Sequence, residues 1–247
     1  MEHQKHYLLI ACSVLYRECY SCAAISKNIV EVRILEQGLH DIGELKMSKS
    51  LQEEIDKIDT KKYDAILLGY GLCNNGIRGL HSPLPLVIPR AHDCITLLMG
   101  SKEKYRNYFD NNPGAFYQSV GWVECAKDNL LNPDSTTTQI GIKTYEEYVK
   151  EYGEENAKYI IETLGEGLSN YTKMTFIKTN VCDDSFHKNH TKQESEEKGW
   201  KYEEYPGNTK IILRMMNGNW DNNMFLVVEP DKTIEPSHDE NIIKMIN

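Results

Sequence analysis

The sequence predicts an α/β fold: a Rossmann-like parallel sheet flanked by helices, with a second, smaller α/β lobe. Three observations predict it. Short apolar runs of strand length, among them Tyr7–Ala11, Ala65–Leu68 and Leu86–Ile88, alternate with segments of helical periodicity. Their β-α-β order is that of parallel strands joined by crossover helices. Chemistry-bearing residues follow each of these runs, and in open parallel sheets sites lie outside the carboxyl ends of the strands.

The elements follow in order. Tyr7–Ala11 is a buried-type strand, and Ser13 after it is a helix-capping residue. Leu15, Cys19, Cys22, Ala23 and Ile25 recur at nearly helical spacing over 15–28. Residues 30–36 alternate, with Val30, Val32 and Ile34 on one face, which fits a strand near an edge. Gly38–Gly43 is a loop carrying His40. Leu51, Ile55 and Ile58 form the apolar face of a helix over 48–59. A strand over 63–69 ends at a glycine-rich turn, and Gly76–Leu80 starts a short helix. After the strand Leu86–Ile88, Asp93 is placed to cap a helix over Ile95–Met99, and another helix covers Lys102–Phe109. Asn111–Gly114 is a turn signal, and 115–124 is a strand or an extended loop. Residues 126–140 are polar and loop-like, and charged helical segments follow over about 143–152 and 154–166. Lys173–Lys178 alternates as a strand. A polar helix over 184–199, a strand over 201–205, a helix over 208–217 and a last strand over Asn223–Val228 complete the order. The tail after Pro230 is expected to be loose.

At 247 residues, with 40% hydrophobic and 26% charged, the chain fits one large domain or two small ones. The expected division is a first α/β lobe over 1–110, a helical and loop insertion over 111–169 and a second lobe over 170–247. A single continuous sheet with a helical insertion is the alternative. The net charge of -9 argues against non-specific nucleic-acid binding, which needs clustered Lys and Arg. No apolar run approaches the roughly 20 residues that span a bilayer, and the N-terminal run is too short for a signal peptide. The expectation is a cytoplasmic protein with no membrane or nucleic-acid partner. Seven cysteines in a reducing compartment read as thiols or ligands rather than disulfides.

The chemistry concentrates at three strand ends. Cys12 follows the first strand. Cys73 sits in Gly69-Tyr70-Gly71-Leu72-Cys73-Asn74-Asn75-Gly76, a turn that is neither a Walker loop nor a GxGxxG fingerprint. Its backbone N–H groups at Gly71, Asn74 and Gly76 can cradle an anionic group. Arg90, His92, Asp93 and Cys94 follow the strand Leu86–Ile88. Cys12, Cys73, Cys94 and His92 make a Cys₃His set, the donor chemistry of zinc or of an iron–sulfur cluster, with Asp93 as the alternative fourth ligand. Against it stand a redox or nucleophilic Cys73 without metal, and ordinary buried cysteines, which are common in cores. Arg90 is the candidate for an anionic substrate group and Glu124, beside Trp122, for proton transfer. Cys19 and Cys22 lie inside a helix and read as packing. Cys182 with His187 and His190 suggests a second metal site, against which a solvated polar stretch is favoured.

Taken together, Tyr70–Gly76, Pro89–Cys94, Pro113-Gly114 and Gly121–Glu124 resemble the family known as domain of unknown function 1638. Ala11-Cys12 and the stretch from Asn219-Trp220 to Val228-Glu229-Pro230 are similar to it as well. In that family the Cys often follows the His directly, whereas here Asp93 intervenes. The resemblance implies anaerobic one-carbon metabolism, in the company of a corrinoid protein or methyltransferase. The reading is a metal-binding enzyme or accessory factor of methyl transfer acting on a small-molecule substrate. Two alternatives are an iron–sulfur protein for electron transfer or corrinoid reactivation, and a non-catalytic metal carrier or sensor.

Overall fold

Leu8, Leu9, Ile10 and Ala11 are fully buried in succession, so the first strand has both faces covered and lies inside a sheet. The computed structural model describes residues 4–35, 44–125, 149–150, 153–154, 158 and 170–247. It divides into two compact units. The first takes Met1–Asn107, Thr179–Cys182 and Pro206–Asn247, and the second Tyr108–Lys178 and Asp183–Tyr205.

In the first unit, β1 (His6–Cys12) pairs in parallel with β2 (Ile29–Leu35) on one side and β3 (Ala65–Gly69) on the other. β4 (Leu86–Pro89) continues in parallel beyond β3, and β8 (Phe225–Val228) closes the sheet antiparallel to β4. The order is β2-β1-β3-β4-β8. One 3-10 turn, Ser13–Leu15, leads from β1 into α1 (Tyr16–Ile25). Cys19 and Cys22 of α1 are buried in packing, as their helical spacing indicated, and α1 lies against α7 (Lys210–Met216). α2 (Glu44–Asp56) buries Met47, Leu51 and Ile55, an i, i+4, i+8 stripe.

α3 (Cys94–Met99) is capped at both ends. The Asp93 carboxylate accepts from Thr96 N–H, and Gly100 closes the helix at φ 74, where a residue with a Cβ is strained. α4 (Lys102–Asn111) then carries the chain into the second unit.

The second unit holds a three-stranded sheet ordered β5-β6-β7, from β5 (Ala115–Gln118), β6 (Lys173–Lys178) and β7 (Lys201–Pro206). β5 and β6 are parallel. β5 leads through Ser119 into α5 (Val120–Cys125), and α6 (Ser185–Glu197) lies between β6 and β7 in the chain.

Four expectations change. Residues 115–124 are a strand followed by a helix, so Trp122 and Glu124 are helical. Gly76–Leu80 forms turns rather than a helix, because Cys73, Asn74, Asn75 and Gly79 all take positive φ and cannot lead into a right-handed helix. The tail after Pro230 is not loose. β9 (Thr233–Pro236) and β10 (Ile243–Ile246) form an antiparallel hairpin that buries Ile234 and Ile243 completely. Finally, β8 returns to the first sheet, so the units divide the chain along other lines than 1–110, 111–169 and 170–247. The segments at 143–152 and 154–166 lie largely, and the loop with His40 wholly, outside the described residues. Among the described residues, no helix is long and apolar enough to cross a membrane.

Candidate functional site

From β1 the chain steps outward to β2, then passes to the other side of β1 to form β3. The connections therefore diverge at the carboxyl ends of β1 and β3, where open α/β sheets leave a crevice for ligands. Ala11 pairs with Gly69, so the two strands end level, with Cys12 on one side of the crevice and Tyr70–Cys73 on the other. Cys12, last in β1, is 6% exposed.

The glycine turn is fastened to the loop after β4 by backbone bonds. Leu72 N–H donates to the Ala91 carbonyl and Cys73 N–H to the His92 carbonyl, both at 2.8 Å. Gly71 permits this approach: a Cβ there would stand 2.6 Å from the Asp93 nitrogen and 2.8 Å from its Cα, which is backbone and cannot yield. Cys73, Asn74 and Asn75 then run at φ 46, 53 and 66. Three successive non-glycine residues in the left-handed region are costly and belong to over-determined, often functional, segments. Gly76 N–H closes the turn on the Cys73 carbonyl.

The sulfurs and the phenol at this crevice feel one another. Burial pushes the Cys73 thiol up to about 12, and the charges of Asp93 and Cys12 add to it; a hydrogen bond from Gly71 N–H acts in the opposite sense. Cys73 is half-buried as a residue, with its thiol enclosed. Tyr70 is 3% exposed, and burial, then Cys12, Cys73 and Cys19, hold its phenol well above the usual range. Among the described residues its Oη has no hydrogen-bond partner, nor has the Ser13 Oγ. Two buried hydroxyls without partners, one of them among the thiols, mark a place where the protein's own polar groups are incomplete. No cysteine is in a disulfide.

The other candidates fall as follows. His92 is exposed and Cys94, first in α3, is half-buried. Among the described residues no three His, Cys, Asp or Glu side chains are grouped as a metal ion needs, so the Cys₃His set is not gathered as it stands. Asp93 is engaged as the α3 cap and accepts a second bond, 2.9 Å, from the Tyr105 hydroxyl. Arg90 donates to the carbonyls of Asn222, Asn241 and Ile243, which makes it a tie to the hairpin rather than an open anion site. Asn74 is exposed on the turn, and Gly76 is buried beneath it. Glu124 belongs to the second unit, where its Oε1 faces His187 Nε2 at 3.2 Å. His190 stacks on Phe186 at an interplanar angle of 7°, and Cys182 is counted with the first unit.

Tyr70 escaped the sequence reading; it stands between Gly69 and Gly71, and glycine flanks are the only sign that its ring turns inward. His187 was read with Cys182 and His190, but its pairing with Glu124 carries no local sign, since that partner lies 63 positions earlier.

No curated protein and no solved structure matches the chain. A family model described as "Protein of unknown function (DUF1638)" matches residues 34–216, a span that includes Cys73, His92 and Cys94 but not Cys12. That span is roughly three quarters of the chain, and the protein belongs to this family.

Proposed function

We propose that the first unit is a Rossmann-like domain that binds a metal ion, zinc or iron, at the crevice between β1 and β3. Cys12 and Cys73 are its primary ligands. One observation carries the reading: the strand register ends Ala11 level with Gly69, which brings Cys12 and the Cys73 turn to one crevice, and backbone bonds fasten that turn to the His92 loop, with the Cys73 thiol buried there and its proton held tightly. A thiol so placed is inert at neutral pH unless a cation takes the place of the proton. Tyr70 supports it, because a thiolate is the acceptor that its Oη lacks. His92, exposed on the loop bonded to Cys73, and Cys94, two residues on, are the further ligands of this reading.

A metal held there by Cys12 and Cys73 would keep a thiolate at neutral pH and would supply the Lewis acidity that activates a substrate thiol. That chemistry suits methyl transfer in anaerobic one-carbon metabolism, for an enzyme or an accessory factor, a role supported by the resemblance of the sequence. The chain's own residues then position the ligands: Asp93 fixes the start of α3 and Gly71 brings Cys73 against the His92 loop.

The test is metal analysis of anaerobically prepared protein. One zinc per chain, lost in Cys12→Ser and Cys73→Ser and kept in Cys19→Ser, is the expected result. Absorption near 400 nm would instead identify an iron–sulfur cluster on the same ligands. Absence of both metals, or full occupancy in both the Cys12 and Cys73 variants, overturns the reading.

A further inference from the structure

The second unit carries chemistry of its own at the carboxyl ends of its parallel strands. β5 ends at Gln118 and leads into α5, and β6 leads by a short connection into α6. α5 packs on α6. Glu124, near the end of α5, and His187, in the first turn of α6, meet across this contact with Oε1 and Nε2 3.2 Å apart.

His187 is 9% exposed. A neutral imidazole carries one N–H, and the nitrogen that bears it is set by the hydrogen bond available. Beside the Glu124 carboxylate that nitrogen is Nε2. Nδ1 is then a bare acceptor, and it is buried with no hydrogen-bond partner among the described residues. Buried polar atoms of native proteins are almost always paired, and an unpaired one is explained by a water, a ligand or a catalytic task.

The backbone that carries the imidazole is held firmly. Thr191, one turn along α6, lies 2.9 Å from the His187 carbonyl and 2.6 Å from Gln118 Oε1. Gln118 Nε2 donates to Glu194 at 3.0 Å. Gln118 and Thr191 are fully buried, so the network pins α6 to the end of β5. The imidazole is nevertheless one side chain from solvent. The Phe186 ring meets it edge-on at 5.5 Å and is itself 61% exposed.

We propose that Glu124 and His187 form a proton-accepting dyad for a small ligand that offers a hydroxyl to Nδ1 and a planar apolar face to Phe186. The ligand's O–H bond breaks with its electron pair left on oxygen. The proton passes to Nδ1, and the Glu124 carboxylate balances the imidazolium through the Nε2 proton. This dyad is independent of the thiol crevice and of any metal there.

The probe is 4-nitrophenol, whose phenolate form absorbs visibly, added to full-length protein with ¹⁵N-labelled histidine. In the unliganded protein His187 should be the Nε2–H tautomer, with Nδ1 at the shift of a bare acceptor. The probe should move the Nδ1 resonance saturably and raise phenolate absorption in step. His187→Gln should abolish both changes. Glu124→Gln should weaken binding at least tenfold and disturb the tautomer. An Nδ1–H tautomer in the wild-type protein overturns the proposal without recourse to a variant. So does a resonance that does not respond to the probe in protein shown to be folded.

Discussion

At the residue scale, position in the fold decides which of the sequence's reactive groups remain reactive. Asp93 stands between His92 and Cys94, yet it is consumed by α3 and by Tyr105. Asp93→Ala should cost about 1–2 kcal/mol by loss of a cap. Asp93→Asn, which caps as well, should restore most of it in a denaturant melt. If Asp93 were a metal ligand, the Asn variant would recover stability but not metal. Cys73 has the opposite character, with its proton held too tightly. Its folded pKa of about 12 lies above the ordinary 9.0, so the folded chain keeps a proton that the unfolded chain releases. Stability from this group is intact below pH 9 and declines as pH rises toward 12. At 1.36 kcal/mol per unit, the loss is at most about 4 kcal/mol. Metal-free Cys73→Ala should show a flatter alkaline limb than the wild type in melts taken across that window, and equal limbs would contradict the burial of the thiol.

At the element scale, two short connections do more than join strands. The Tyr70–Gly76 turn depends on Gly71 for its approach to Asp93 and stores three left-handed residues. Gly71→Ala drives a Cβ into backbone, and the overpacking should cost about 1–3 kcal/mol and weaken metal binding together with stability. Asn75→Gly should instead stabilise by a few tenths of a kcal/mol or more, because glycine takes φ 66 without strain. A destabilised Asn75→Gly would mean that the side chain, not the backbone, shapes the turn. Arg90 is the second device. Its planar fork reaches three carbonyls, two of them around the β9–β10 hairpin. Lysine offers one point of charge and cannot copy that geometry. Arg90→Lys should therefore destabilise by about 1–3 kcal/mol and speed proteolysis within 237–247.

At the scale of the molecule, the chain leaves its first sheet after α4, builds a second unit, and comes back to finish the first with β8. The last segment is thus part of the first unit's core. Ile234 and Ile243 are fully buried, and Gly79 N–H and Leu80 O are bonded to Ile234. Deleting 231–247 should lower the melting temperature of the first unit and loosen the turn over 76–80. Hydrogen exchange would show this as faster exchange at Gly79 while the Gln118–Thr191–Glu194 network keeps its protection. Equal exchange at both places would mean that the two units unfold together.

The alternation of apolar runs with helical periods was enough to place β1–β4, α1–α4 and the α/β class, because burial of a strand or a helix face leaves its period in the sequence. The same runs put Cys12, Cys73 and the Arg90–Cys94 loop at the carboxyl ends of strands. Which of those side chains remain open to a ligand was decided only by the tertiary structure. Asp93 and Arg90 are spent on partners that lie 3 to 153 positions away, and no local pattern records a hydrogen bond of that kind. The hairpin at the tail was illegible for a related reason. Its core contacts are single isoleucines set among charges, too few to form a period. Glu124, beside Trp122, reads from the sequence as a proton-transfer group, but nothing local names its neighbour, His187, which the pairing of β5 with β6 brings to it. Periodicity is a local property and survives in one dimension; convergence of side chains is a property of the closed fold.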